Sequence, residues 1–165
     1  GPFQFPEKLI PLIIINCLEN KTLPVYGKGE NIRDWLYVND HCRALNILLE
    51  EGSSGESYNI GGDCEIKNID IVSNICILLD KIRPRDDGRS YTDLISFVED
   101  RPGHDFRYSV DCSKIKGELK WKQHETIKTG LKKTLKWYIE NEEWWRKIQK
   151  KNYKQERLGL IANKD

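Results

Sequence analysis

The sequence predicts an α/β fold, and three observations carry that prediction. Apolar residues recur at helical spacing in segments 39–51, 68–79 and 126–148. Short runs suited to strands, at 23–27, 56–60 and 95–98, alternate with those segments and are bounded by Gly, Pro or charged clusters. Around Gly61-Gly62 the order strand, tight turn, helix is complete, which is the repeating unit of α/β proteins.

Taken in order, residues 7–18 carry Leu9, Ile10, Leu12, Ile13, Ile14 and Ile15 and read as a mostly buried helix, with Pro6 at its start and Pro11 within or bending its first turns. A strand over 23–27 ends in the turn Gly27-Lys28-Gly29. Residues 33–38 read as a second strand covered on both faces, because Trp35 and Tyr37 alternate with Asp34, Leu36 and Val38. Asn39-Asp40 caps a helix to Glu51 whose apolar stripe is Ala44, Leu45, Leu48 and Leu49. After the strand at 56–60, Asn68 or Asp70 caps a helix through Ile71, Ile75, Leu78 and Leu79. Residues 83–91 are charged and form a loop, short strands follow at 95–98 and 107–110, and Ser113 caps a helix to Leu119. A single helix over 126–148 closes the fold through Ile127, Leu131, Leu135, Tyr138, Ile139, Trp145 and Ile148. Residues 1–150 make one domain and 151–165 a polar tail.

Composition excludes several functions. With 27 basic against 26 acidic residues the net charge is +1, which gives no basic arm for nucleic acid. No apolar run spans a bilayer and no signal peptide opens the chain, so the expected compartment is the cytoplasm. Cys17, Cys42, Cys64, Cys76 and Cys112 lack metal-ligand spacing and read as reduced, mostly buried thiols. The chain opens at Gly1 and contains no Met, so it is expected to be a piece of a longer protein.

Two arginines stand out, Arg33 in Ile32-Arg33-Asp34-Trp35 and Arg101 in Asp100-Arg101-Pro102-Gly103-His104, because each adjoins a strand or turn. A guanidinium fork suits a diphosphate; an ion pair with Asp34 or Asp100 explains each arginine equally well. His104, Lys8 and Asn68 are weaker candidates, and the aromatic cluster Trp137, Tyr138, Trp144 and Trp145 reads as packing rather than sugar stacking. There is no GxGxxG and no Tyr-x-x-x-Lys, so the sequence offers neither a pyrophosphate cradle for NAD nor a tyrosine base.

Pro6-Glu7-Lys8-Leu9-Ile10-Pro11, Leu23-Pro24-Val25-Tyr26-Gly27, Ile32-Arg33-Asp34-Trp35-Leu36-Tyr37-Val38, Tyr58-Asn59-Ile60-Gly61-Gly62 and Asp100-Arg101-Pro102-Gly103-His104-Asp105 occur in series. Together they resemble the C-terminal half of the dTDP-glucose 4,6-dehydratase family, over residues 1–145. The resemblance implies the substrate-binding portion of an extended short-chain dehydrogenase/reductase, a Rossmann-like NAD(P)-binding fold, including its last parallel strands. It also implies an enzyme that oxidises C4 of glucose with NAD, eliminates water across C5 and C6, and returns the hydride to C6.

The family's catalytic residues and glycine fingerprint precede the position of Gly1, so no catalytic or cofactor-binding residue is expected in this chain. What carries over is nucleotide-sugar binding: Lys8 and Leu9 near the nucleotide, Pro24, Val25 and Tyr26 against base and ribose, Arg33, Asn68 and Arg101 at the diphosphate, and Asp100 and His104 in the same pocket. The implied partners are a dTDP-sugar, an N-terminal NAD-binding half and a second subunit in a homodimer. The readings to be separated are this one, a nucleotide-binding remnant without turnover, and a related UDP-sugar epimerase or decarboxylase.

Overall fold

Helix α1, Leu9–Leu18, is apolar on every side, and such a helix is stable only inside a core. The computed structural model, which describes residues 1–151, buries Ile10, Ile13, Ile14, Ile15 and Cys17 of this helix. Pro11 is its third residue and costs no intrahelical hydrogen bond there, because first-turn amides have no acceptor within the helix. Strand β1, Leu23–Tyr26, follows α1. Further along come strand β2, Ile32–Asp34, helix α2, Val38–Glu51, strand β3, Glu65–Lys67, and helix α3, Asn68–Ile82. A single 3-10 turn, Tyr91–Leu94, leads into strand β4, Ile95–Val98, and helices α4, Ser113–Leu119, α5, Ile127–Glu140, and α6, Glu142–Lys151, complete the order.

Among the described residues the strands form two small sheets. β1 pairs in parallel with β4, from Leu23 opposite Ile95 to Tyr26 opposite Val98. β2 pairs antiparallel with β3, placing Arg33 opposite Ile66. On the other side of β2 runs the segment 106–108, held by Ile32 N–H to Phe106 O at 2.7 Å and Tyr108 N–H to Ile32 O at 3.1 Å. The main core fills the space between α1, β1, α3, α5 and α6, where Ile13, Leu23, Ile75, Leu135 and Trp145 are fully buried. A smaller core of Ala44, Cys112, Ile115 and Trp121 joins α2 to α4.

Several elements differ from the sequence-based expectation. The strand expected over 33–38 ends at Asp34: Trp35 N–H adds one more in-register bond, to Cys64 O at 3.0 Å, and the chain then leaves for α2, whose extended N-cap is Tyr37. Asn39-Asp40 therefore lies inside α2 rather than capping it. Of the expected α2 stripe only Ala44 is buried; Leu45 and Leu49 face outward, Leu49 being 85% exposed. Residues 56–60 form no ladder among the described residues, since no strand lies alongside to accept their hydrogen bonds. Residues 107–110 make one isolated bridge, Ile32 with Arg107, instead of a strand. Lys67, not Asn68 or Asp70, is the N-cap of α3, and Cys112, not Ser113, precedes α4.

The helix expected over 126–148 is two helices. Asn141 leaves helical geometry with φ −117° and ψ 42°, and its side-chain amide bonds Trp137 O at 2.8 Å. The break lets Trp145 fold back so that its indole N–H reaches Tyr138 O at 2.9 Å with the ring wholly buried. The aromatic cluster accordingly packs: Phe3, Trp137 and Trp144 meet edge-on at 4.7 to 5.6 Å, as the packing reading expects. Of the five cysteines, Cys17, Cys76 and Cys112 are buried and all are free thiols. The tail at 152–165 lies outside the described residues.

Candidate functional site

Parallel pairing makes β1 and β4 end side by side, which brings the turns after them together. Gly27 N–H closes on Val98 O at 2.8 Å, and Gly27 has φ +54°, a conformation that costs a side-chain-bearing residue. A Cβ there would also sit 3.2 Å from the Asp100 carboxylate. Asp100 organises the next turn: Oδ1 accepts Arg101 N–H at 2.8 Å and lies 2.7 Å from His104 Nδ1. Burial pushes the Asp100 carboxyl up, but the His104 and Arg101 bonds outweigh it and hold the group below the usual carboxylate range. His104 meets the ring of Tyr26 edge-on at 6.1 Å. Tyr26, Asp100 and His104 thus form one cluster, with Arg101 exposed at its rim.

Arg33 is held nearby in a different way. It makes no ion pair with Asp34; the Asp34 carboxylate instead accepts Gly62 N–H and Cys64 N–H, both at 2.8 Å. The guanidinium donates through Nη1 to Ile32 O at 2.6 Å and Phe106 O at 3.4 Å, and through Nη2 to Asp105 O at 2.9 Å. Its carbon lies 4.5 Å from the centre of the Tyr108 ring. Those bonds occupy Nη1 and one hydrogen of Nη2, while Nε–H bonds no acceptor among the described residues, so the guanidinium keeps donors for an anion. Arg33 and Arg101 both act on the Tyr108 hydroxyl: its bond to Asp105 and then burial raise its pKa, and the two guanidinium charges pull it down. A second neutral link joins Asn68 to the same place, since Asn68 N–H bonds Asn31 O at 2.9 Å and Asn31 Nδ2 donates to Asp105 O at 3.2 Å. Asn68 Oδ1 is buried and has no hydrogen-bond partner among the described residues.

Not every candidate joins this group. Lys8 is exposed and paired with Glu7 at 3.1 Å, and Leu9 packs on the main core. Val25 is 1% exposed, so its side chain belongs to the core, while Pro24 and Tyr26 on alternate positions of β1 are half-buried. Sequence reasoning missed Asn31, Asp105 and Tyr108. The alternation Phe106, Tyr108, Val110, all exposed beside Arg107 and Ser109, which are tied to Glu65, is the signal that could have marked them.

The described residues do not form a cradle for the pyrophosphate of NAD. Helices α1, α2 and α3 open from Lys8, Tyr37 and Lys67, with no glycine-rich turn presenting its amides at a helix start. Nor does any group of three His, Cys, Asp or Glu among them stand close enough to hold a metal. No described helix is long and apolar enough to cross a membrane.

A parallel strand pair packed under helices makes this an α/β chain, and its likeness to solved structures places it among the extended short-chain dehydrogenases/reductases. In structure it is similar to the dTDP-glucose 4,6-dehydratase from Bacillus anthracis in complex with NAD, at TM-score 0.79 and 46% identity over 90% of this chain and 44% of that one. The dTDP-glucose 4,6-dehydratase from Streptomyces venezuelae with NAD and TYD bound gives the same TM-score at 42% identity, covering 90% of this chain and 43% of that one. The chain belongs to the family described as GDP-mannose 4,6 dehydratase, whose model matches residues 1–134. In sequence it is similar to a probable dTDP-glucose 4,6-dehydratase of Sinorhizobium fredii, 56% identical over 161 residues, which are 98% of this chain and 45% of that protein. The chain thus spans less than half the length of the curated relatives it matches.

Proposed function

We propose that this chain is the nucleotide-sugar-binding, C-terminal half of an NAD-dependent dTDP-glucose 4,6-dehydratase, which converts dTDP-glucose to dTDP-4-keto-6-deoxyglucose. Within it, residues 1–150 are the binding domain and 151–165 an appended tail. NAD supplies the hydride chemistry from residues outside this chain, and the chain's own residues bind and orient. Arg33 presents the free donors of its guanidinium to the diphosphate, and exposed Arg101 adds a second positive charge at the same rim. Asn68 is tied to that neighbourhood by its backbone N–H to Asn31 O, and its side-chain Nδ2, a donor, is the group suited to a diphosphate oxygen. Asp100, kept ionised, fixes the Arg101 turn and the His104 ring beside Tyr26, so that β1 offers Pro24 and Tyr26 to base and ribose. Lys8 and Leu9 approach the nucleotide from the start of α1, and Val25 contributes through its main chain. The protein acts in the cytoplasm as a homodimer, with a dTDP-sugar as its small-molecule partner.

The observation that carries this reading is the unbonded Nε–H of Arg33, with Arg101 acting on the same Tyr108 hydroxyl as Arg33 does. Its test is Arg33→Ala in the whole enzyme. A charge-assisted hydrogen bond contributes roughly 1.5 to 3 kcal/mol, so KM for dTDP-glucose rises about 10- to 150-fold. An unchanged KM would sink the assignment. The dTDP-glucose product, followed by mass and by the absorbance of the keto sugar, separates a dehydratase from an epimerase, which leaves the substrate's mass unaltered.

A further inference from the structure

Tyr108 is 52% exposed, yet its position is closely determined. Its amide donates to Ile32 O at 3.1 Å, the same carbonyl that Arg33 Nη1 reaches at 2.6 Å. Its hydroxyl donates to the Asp105 carboxylate, while the Asp105 carbonyl accepts both Arg33 Nη2 and Asn31 Nδ2. The ring covers one face of the Arg33 guanidinium at 4.5 Å. A long cationic side chain left with backbone acceptors alone can swing off them about its last torsions, at the cost of two or three bonds that water replaces. A ring set over the guanidinium carbon opposes that motion and leaves Nε–H without an acceptor among the described residues.

We propose that Tyr108, through its ring, is a positioning residue for Arg33, holding the free donors of the guanidinium toward the diphosphate of a nucleotide sugar. This rests on the diphosphate reading above and adds to it the residue that makes Arg33 a preformed clamp instead of a mobile charge. Tyr108 touches no reacting atom; it acts on affinity through Arg33.

The test is a double-mutant cycle on dTDP affinity, measured by calorimetry in the whole protein that carries this chain. A stack of this kind, desolvated on one face, corresponds to about a fivefold change in Kd. Tyr108→Leu weakens dTDP binding by about that factor, Tyr108→Gln does the same, and Tyr108→Phe, which keeps the ring, restores most of the affinity. In the Arg33→Ala background Tyr108→Leu changes nothing further. Additive effects of the two substitutions overturn the proposal, as does a Tyr108→Phe variant as weak as Tyr108→Leu. If Arg33→Ala alone leaves dTDP affinity intact, the diphosphate reading itself fails and this inference with it, an outcome distinct from additivity. Thermal unfolding of each variant separates a folding defect from lost positioning, and Tyr108→Gln supplies the measurement where the leucine variant does not fold.

Discussion

Arg33 and Asp34 are neighbours of opposite charge that never meet, because successive side chains on a strand point to opposite faces. Asp34 turns to the Gly61-Gly62 side, where a Cβ on Gly62 would lie 2.1 Å from Trp35 O, so only glycine lets the two backbones approach and present their amides to the carboxylate. Removing that carboxylate strands two amide donors. Asp34→Ala is expected to cost about 1 to 3 kcal/mol in chemical denaturation, more than Asp34→Asn, which keeps one acceptor oxygen. On the same face as Asp34, Glu65 takes both Arg107 donors, at 2.5 and 2.7 Å, and the Ser109 hydroxyl at 2.8 Å. Those bonds bring its pKa from 4.5 down to about 2. Since the folded value lies below the unfolded one, the latch stabilises fully above about pH 4.5 and is lost as pH falls through about 2. The thermal-stability deficit of Glu65→Gln should therefore shrink as pH is lowered toward 2; a deficit constant from pH 7 downward would show that the latch is not the cause.

At the scale of elements, caps and burial decide where helices begin and end. Thr126 caps α5 in a reciprocal box, accepting Thr129 N–H at 3.2 Å while Thr129 Oγ1 accepts Thr126 N–H at 3.0 Å. Thr126→Ala should lower stability by about 1 kcal/mol and Thr126→Ser by much less, read as a shift in melting temperature. Asp40, expected as a local cap, instead works at long range: 2% exposed, it accepts His124 N–H at 3.0 Å, Glu125 N–H at 2.9 Å and Arg43 Nη1 at 2.7 Å. Burial raises its pKa, and those bonds more than reverse the effect. It ties α2 to the segment that starts α5. Periodicity located α2 correctly and misread its inward face, because which side of a helix is covered depends on what packs there. Leu45 and Leu49 satisfy the apolar spacing as well as Ala44 does, yet Ala44 is fully buried while they are exposed.

Across the whole molecule, the residues proposed to bind the diphosphate are assembled from three distant stretches: the turn after β1 with β2, the start of α3, and the segment after β4. The two small sheets do the assembling, one by ending β1 and β4 together, the other by sandwiching β2 between β3 and the segment 106–108. Nothing in the described residues offers NAD a helix-start cradle, and calorimetry on residues 1–165 is expected to show no NAD binding at micromolar concentrations, whereas such binding would refute the division of labour proposed above.

The sequence by itself determined the α/β class, the position of most helices, β1 and β4, and the identity of Arg33 and Arg101 as the cations to watch, because apolar periodicity and residue chemistry are local properties. Tertiary structure alone decided how each was used. Whether 56–60 pairs, whether 126–148 stays one helix, and whether Arg33 answers to Asp34 or to the carbonyls of Ile32, Asp105 and Phe106 all depend on what the fold brings alongside. A strand needs a neighbour, a helix breaks where its far end gains more by folding into the core, and a guanidinium is aimed by acceptors more than seventy residues away in the chain.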